Sequence, residues 1–258
     1  MKKLLAMVLA MVMVMCMAAC GNAKSAEATW ESQLGKKGVL RVGMAADYPP
    51  YESYDANGNV VGFDADMAKK IADYMGVELE IVPMDFDTII TAVAAKTIDA
   101  GISCFSYNEE RAKSVLFTNT YMTSAQACYA STQYGINSME DLKGGIVGAG
   151  NGTTGMDVAN ELSETYGYTT QAGENAIMAE ALKAGAIQGV ITEKCVADSY
   201  IASDSAAFKM IKDDLTVEEI KGITALGNDA LLNKLNEAIA AIMKDEAKYN
   251  QLIIDWFG

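Results

Sequence analysis

Two segments of this 258-residue chain carry the residue types needed to hold a carboxylate from both sides. In Gly101-Ile102-Ser103-Cys104-Phe105-Ser106-Tyr107-Asn108-Glu109-Glu110-Arg111 an apolar run gives way to small and hydroxyl side chains and ends on a cation. Further along, Gly150-Asn151-Gly152-Thr153-Thr154-Gly155 follows a second apolar run. A guanidinium fork from the first and free backbone N–H groups and hydroxyls from the second suit a clamp for a small zwitterion. Taken alone, Arg111 beside Glu109 and Glu110 reads as a solvated surface charge, so the elements that would position it have to decide.

Those elements alternate. Val39 to Met44 has a strand pattern, and Asp64 is placed to cap a helix in which Met67, Ile71 and Met75 share a face before Gly76 ends it. Val77 to Val82 alternates strictly, a helix follows from about Asp87 to Lys96, and Ile98 to Ser103 is a buried strand. The pattern then repeats, with strand Gly145 to Ala149, helices Thr154 to Tyr166 and Ala176 to Lys183, and strands Ala186 to Thr192 and Gly222 to Leu226. An amphipathic helix from Asp229 to Lys244 and a short helix carrying Trp256 and Phe257 close the chain. Strands alternating with helices imply parallel βαβ units, and two such units in series imply a cleft at the carboxyl ends of their strands. The expected fold class is α/β in two lobes, with lobe 1 discontinuous (38–124 and 222–258), lobe 2 at 128–217, and two crossovers forming a hinge.

Lys2 and Lys3 precede an apolar run from Leu4 to Met17, followed by Ala18-Ala19-Cys20-Gly21. This is the pattern of an export signal over residues 1–19, too short for a dependable membrane span. Cys20 after two alanines resembles the lipobox of bacterial lipoproteins, which implies a lipid-anchored protein on the outer face of the cell membrane, with 20–37 as a flexible tether. Removing 1–19 takes the net charge from −14 to −16. That acidity argues against nucleic acid as a partner, and against an anionic membrane surface beyond the anchor itself. The chain has no histidine, which excludes imidazole catalysis and His-containing zinc sites. Cys104, Cys128 and Cys195 are odd in number and lack CxxC spacing, so neither a full disulfide framework nor a zinc ribbon is indicated.

Leu40-Arg41-Val42-Gly43, Asp47-Tyr48-Pro49-Pro50-Tyr51-Glu52, Gly62-Phe63-Asp64-Ala65-Asp66-Met67-Ala68, Met84-Asp85-Phe86-Asp87, Glu110-Arg111 and Trp256-Phe257-Gly258 occur in order over nearly the whole mature chain. Together they resemble the family 3 extracellular solute-binding proteins, the amino-acid receptors of ABC importers with the type II periplasmic-binding-protein fold. The resemblance implies a monomeric receptor, without cofactor or metal, that hands a small amino acid to an ABC permease. It implies Tyr48 and Phe86 as walls sandwiching the ligand side chain and the backbone carbonyl of Cys104 as an acceptor for the ligand ammonium. It further implies Ser106, Thr153 and Thr154 as hydroxyl and N–H partners of the ligand carboxylate, Arg111 as its bidentate anchor, and Glu193 as the ammonium's partner.

The departures from the family pattern bear on the ligand. Glu193 replaces a shorter aspartate, Cys104-Phe105 and Asn108-Glu109 replace other pairs, and Gly150 stands where a longer polar residue is usual. Ala45 lies where receptors for several polar and basic amino acids carry an acid. With no acid there, and with Asp47 and Asp85 expected to face solvent, a buried cation would lack a partner, so a neutral L-amino acid is expected. Three rivals remain. Gly150-x-Gly152-x-x-Gly155, with Glu174 about twenty residues on, fits a dinucleotide fingerprint, but in a small lobe of an exported protein. A cyclohexadienyl dehydratase-like enzyme on the same fold could use Glu193 as a general acid. A ligand-binding sensor module would share the same receptor.

Overall fold

The structure is a computed structural model that describes residues 28–258. The expected signal segment 1–19 and Cys20 lie outside the described residues. Two five-stranded sheets organise the chain. The first contains β1 (Val39–Met44), β5 (Glu78–Pro83), β6 (Ala100–Ser106), β7 (Val115–Ser124) and β13 (Glu218–Ala225), in the order β5-β1-β6-β13-β7. Between β1 and β5 the short strands β2 (Asp47–Tyr48), β3 (Glu52–Tyr54) and β4 (Val60–Val61) form a small antiparallel sheet. The second sheet has the order β10-β9-β11-β8-β12, from β8 (Gln126–Ser131), β9 (Ile146–Gly150), β10 (Thr169–Gly173), β11 (Gly189–Glu193) and β12 (Phe208–Lys212).

Neither sheet is purely parallel, as the repeated βαβ pattern had implied. β1, β5 and β6 run parallel, as do β9, β10 and β11, but β13 is antiparallel to β6 and β7, and β8 is antiparallel to β11 and β12. The antiparallel strands are those by which the chain changes sheets. It leaves the first sheet between Ser124 and Gln126 and returns between Lys212 and Glu218, and the two crossings are tied where Leu215 N donates to Gln126 O (2.8 Å) and Gln126 N to Thr216 Oγ1 (3.0 Å). The return assigns the last strand to the first sheet, and the chain end follows it there.

Helices α1 (Phe63–Met75), α2 (Phe86–Ala94), α3 (Thr154–Tyr166), α4 (Asn175–Lys183), α5 (Lys194–Ser203), α6 (Asp229–Lys244) and α7 (Glu246–Phe257) cover the sheets. Leu231, Leu235, Ala238, Ile239 and Leu252 of α6 and α7 share one core with Met67 and Ile71 of α1 and Leu40 and Val42 of β1. The closing motif has a structural role. Phe257 packs edge-on against Tyr51 and Phe63 (ring centroids 5.2 Å in each case), and Trp256 Nε1 donates to Asp66 Oδ2 at 2.9 Å.

Two sequence expectations change here. Asp64 is not the cap of α1: Gly62 is, at φ 141°, where an added Cβ would fall 2.1 Å from the Tyr51 carbonyl oxygen. Residues 30–37, assigned to the tether, are docked instead. Trp30–Gln33 form a 3-10 turn, Gln33 Oε1 accepts from Leu231 N (2.7 Å), and Gly35 N donates to Asp99 Oδ1 (2.8 Å). Asp99 also accepts from Arg41 N and forms a 2.9 Å ion pair with the Arg41 guanidinium, which gives the arginine of the first motif a structural task.

Candidate functional site

The carboxyl ends of β6 and β11 face each other across the cleft between the sheets, and the loops after them carry the candidate residues. Arg111 opens a 3-10 turn just beyond β6 and is only 8% exposed. Its backbone N–H donates to Asn108 Oδ1 at 2.7 Å, which fixes the turn. The guanidinium donates to two carbonyls, Ser106 O on its own side (Nη1, 2.8 Å) and Gly152 O across the cleft (Nη2, 2.8 Å). It also lies over the rings of Phe86 and Phe105, 5.4 and 5.7 Å from their centroids. Burial lowers its pKa, but a guanidinium starts so high that the group stays charged.

Opposite, Thr153 is the N-cap of α3: its hydroxyl accepts from Met156 N (3.2 Å) and donates to Gly150 O (2.8 Å). The Thr154 hydroxyl donates to Ser106 Oγ at 3.5 Å, a second bond across the cleft. Gly152 has φ 70°, and an added Cβ would lie 3.1 Å from Asp87 Cβ, so a residue without a side chain lets this loop approach α2 and aim its carbonyl at Arg111.

Glu193, the last residue of β11, is 2% exposed. Oε1 accepts from Gln126 Nε2 (2.7 Å), and Oε2 has no hydrogen-bond partner among the described residues. Its neighbour Lys194 pairs with Asp198, not with it. Burial pushes the carboxyl from its ordinary 4.5 to about 8, against the pull of the Ser124 hydroxyl. Tyr48 reaches over from β2, its hydroxyl accepting from Thr192 Oγ1 (3.0 Å) and from Glu193 N (3.2 Å).

These groups surround an enclosed pocket whose wall includes Tyr48, Phe86, Cys104, Arg111, Thr153, Thr154 and Glu193. Ser106 meets it through its bonds to Arg111 and Thr154. The eight residues singled out by sequence therefore assemble in one place. The pocket holds only about 20 Å³, near the space of a single water and far below that of an amino acid. An amino acid does not fit the pocket in this arrangement of the lobes. The two aromatics are also engaged: Phe86 stacks on Phe105 (4.7 Å, 25°) and Tyr48 on Tyr51 (6.1 Å, 26°).

Five residues that sequence reasoning did not assign to the site stand here. Gln126, at the first crossing, joins Glu193 to Thr154 through its amide nitrogen. Asp64 and Glu52 form a buried carboxyl pair beside Cys104, 0% and 1% exposed, and Glu52 is part of the pocket wall. Asp64 accepts from Cys104 N (2.5 Å) and Tyr121 OH (2.8 Å), while Glu52 accepts from Ser103 Oγ (2.5 Å). Cys104 is held at φ 47°, uncommon for a residue with a side chain, and the bond to Asp64 secures that turn of the backbone at the pocket wall. Burial raises both carboxyls, Asp64 to about 6, and the neighbouring Asp64 charge adds to the rise of Glu52. Both residues sit in quoted motifs, and only the fold shows what their carboxyls touch. Asp47 and Asn175 complete the five. Asp47 was expected to face solvent; it is half-buried and accepts from Asn175 N across the cleft at 3.3 Å.

The comparisons with known proteins bear on this arrangement. A family model described as bacterial extracellular solute-binding proteins, family 3, matches residues 40–258. The chain belongs to this family. It is 33% identical over 260 residues to the arginine-binding extracellular protein ArtP of Bacillus subtilis, covering 100% of this chain and 98% of that one. Among solved structures, an ancestral arginine-binding protein bound to arginine superposes with a TM-score of 0.81 at 36% identity, covering 86% of this chain and 99% of the other. The ancestral amino acid-binding protein AncCDT-1, a precursor of cyclohexadienyl dehydratase, gives 0.77 at 32% identity, covering 86% and 96%. The two-lobed architecture is that of these binding proteins. No helix among the described residues is long and apolar enough to cross a membrane.

Proposed function

We propose that this protein is an extracytoplasmic receptor that binds one α-amino acid between its lobes and presents it to the permease of an ABC importer. The observation that carries the reading is the pairing of Arg111 with Glu193 on one enclosed pocket. Arg111 supplies a fork for a carboxylate, with Thr153, Thr154 and the α3 N-terminus on the far side. Glu193 has one unmet oxygen for an ammonium, with the Cys104 carbonyl as a second acceptor. An α-amino acid is a small molecule that carries both charges on one carbon. Its carboxylate would take the place of the Gly152 carbonyl on Arg111 and bridge the two lobes, so ligand binding and hinge closure favour one another. Relatives named for arginine binding support an amino acid as ligand. In the mature protein Cys20 would carry the lipid that keeps the receptor at the membrane, as a monomer.

Glu193 also supplies the observation that favours an enzyme. A carboxyl that holds its proton to about pH 8 can act as a general acid, and AncCDT-1 stands close in structure. The receptor reading is preferred because the chain has no histidine, and because the family and the relatives it matches are solute-binding proteins. Thermal unfolding of the mature protein with each of the twenty amino acids tests it: a ligand that binds only the folded chain raises the Tm. No shift with any of them, or turnover of arogenate or prephenate, would refute the reading. Ala45, Tyr48 and Phe86 on the wall of the enclosed pocket support the neutral side chain expected from sequence, and Asp47 and Glu52 stand on the same wall. A longer side chain would pass beyond them into the wider space between the lobes.

A further inference from the structure

One side chain at the hinge touches a partner of each ligand charge. Gln126 is the first residue of β8, directly after the first crossing, and is 1% exposed. Its main chain holds the return crossing through the bonds to Leu215 and Thr216, and in the sheet it stands opposite Glu193. Ala125 beside it accepts from Lys194 N at 2.8 Å, so the end of β11 is fastened to the same point of the chain.

The amide has one orientation that its neighbours allow. Nε2 donates to Glu193 Oε1 (2.7 Å) and to Thr154 Oγ1 (3.1 Å), which uses both amide protons. Turned over, the amide would set its oxygen against a carboxylate. Thr154 carries the chain of bonds on to Ser106 Oγ, and the Ser106 carbonyl accepts from Arg111. Gly155 leaves room for the amide, since an added Cβ there would fall 2.9 Å from Gln126 Oε1. Two residues of the binding site thus hang from one amide, and that amide grows from the hinge.

We infer that Gln126 is a positioning residue for ligand binding: it orients the Glu193 carboxylate, favours its ionised form and ties it to the hinge crossing. The inference rests on the amino-acid-receptor reading and adds a residue that is not on the pocket wall. A donor bonded to a carboxylate stabilises the charged form. The other groups facing Glu193 are Ser124 at the crossing, Ser106 and Arg111 from the first lobe, and Glu218 of β13. Tyr48, Tyr51, Cys104 and Cys195 also surround it, each pushed up by burial and neutral. Gln126 makes the short bond among these neighbours, and its loss leaves Glu193 with no replacement donor on Oε1.

An infrared pH titration of the ligand-free mature protein tests this. The carboxylic C=O band that disappears in Glu193→Gln belongs to Glu193. Gln126→Met keeps the length of the side chain and removes both donors. The Glu193 band, isolated by the same subtraction in that background, should titrate about one to two pH units higher than in the wild type, the weight of one hydrogen bond to a charged group. Gln126→Glu has the shape of the wild-type side chain and should move the midpoint the same way, which guards against a misfolded methionine variant. Calorimetry with L-arginine and L-glutamine reads the consequence for binding. Gln126→Met should bind about ten- to a hundredfold more weakly than the wild type near pH 7, with the gap narrowing as pH rises above about 8. A merely structural role would lower the Tm and leave a gap of one size at every pH. A midpoint unmoved in both variants, or a gap independent of pH, would overturn the role of Gln126 while leaving the receptor reading in place. The titration uses no amino acid, so failure of all twenty to bind is a separate result that would defeat the receptor reading and this role with it.

Discussion

Acidification should weaken ligand binding through Glu193. Burial at the end of β11 holds its pKa at about 8; the Ser124 hydroxyl lowers it, Glu218 raises it, and Ser106 and Arg111 lower it in turn. A ligand ammonium pairs with the carboxylate and not with the carboxylic acid, so below pH 8 each binding event must expel a proton. The ionised fraction changes about tenfold per pH unit below the pKa. The apparent affinity should therefore be about tenfold below its plateau at about pH 7 and about a hundredfold below it at about pH 6. Calorimetry in two buffers of different ionisation enthalpy measures both quantities, and close to one proton should be released per ligand near pH 6. Glu193→Gln should bind weakly at every pH and lose the slope. In the ligand-free protein the sign for stability follows from the same shift. Between 4.5 and about 8 the folded chain holds a proton that the unfolded chain has released. Stability from this group is therefore full below 4.5 and declines as pH rises through that window, by about 1.4 kcal/mol per unit. The Tm of the wild type should fall across that window relative to Glu193→Gln. A wild-type Kd that stays flat between about pH 6 and pH 8, with no proton released, would refute the assignment of Glu193 as ammonium partner.

Arg111→Lys keeps the charge but loses the fork that spans both lobes, and should weaken binding about ten- to a hundredfold in calorimetry; unchanged affinity would remove Arg111 from the site. Gly152→Ala places a side chain at φ 70° against Asp87, at a cost of about 1–2 kcal/mol to the closed arrangement, so affinity should fall about five- to thirtyfold with little change in far-UV circular dichroism. Cys20→Ala should release the protein from the membrane fraction with ligand binding intact, since two acyl chains are what stable anchoring takes. Failure of a clickable fatty acid to label the wild type would overturn that anchor.

Much of this protein was legible in the order of its residues. Short-range physics wrote the period-two and period-3.6 patterns into β1, α1, β5 and α3, and the last of these runs from Thr154 to Tyr166 as read from sequence. The absence of histidine and the acidity restricted the chemistry, and motifs in series named the family and eight residues that meet at one cleft. Tertiary structure decided what local pattern does not encode. β7, β8 and β12 carry no strong alternation of their own and form because partners distant in sequence complete their hydrogen-bond ladders. Asp64 has the position of a helix cap, yet its carboxylate serves Cys104 and Tyr121, forty and fifty-seven residues away. Asp47 and Asn175 lie 128 residues apart, and neither one's neighbours in sequence announce the other. Their contact exists only because two separate lobes close on the same space, where burial removes water and leaves each polar atom dependent on the partner that the fold brings to it.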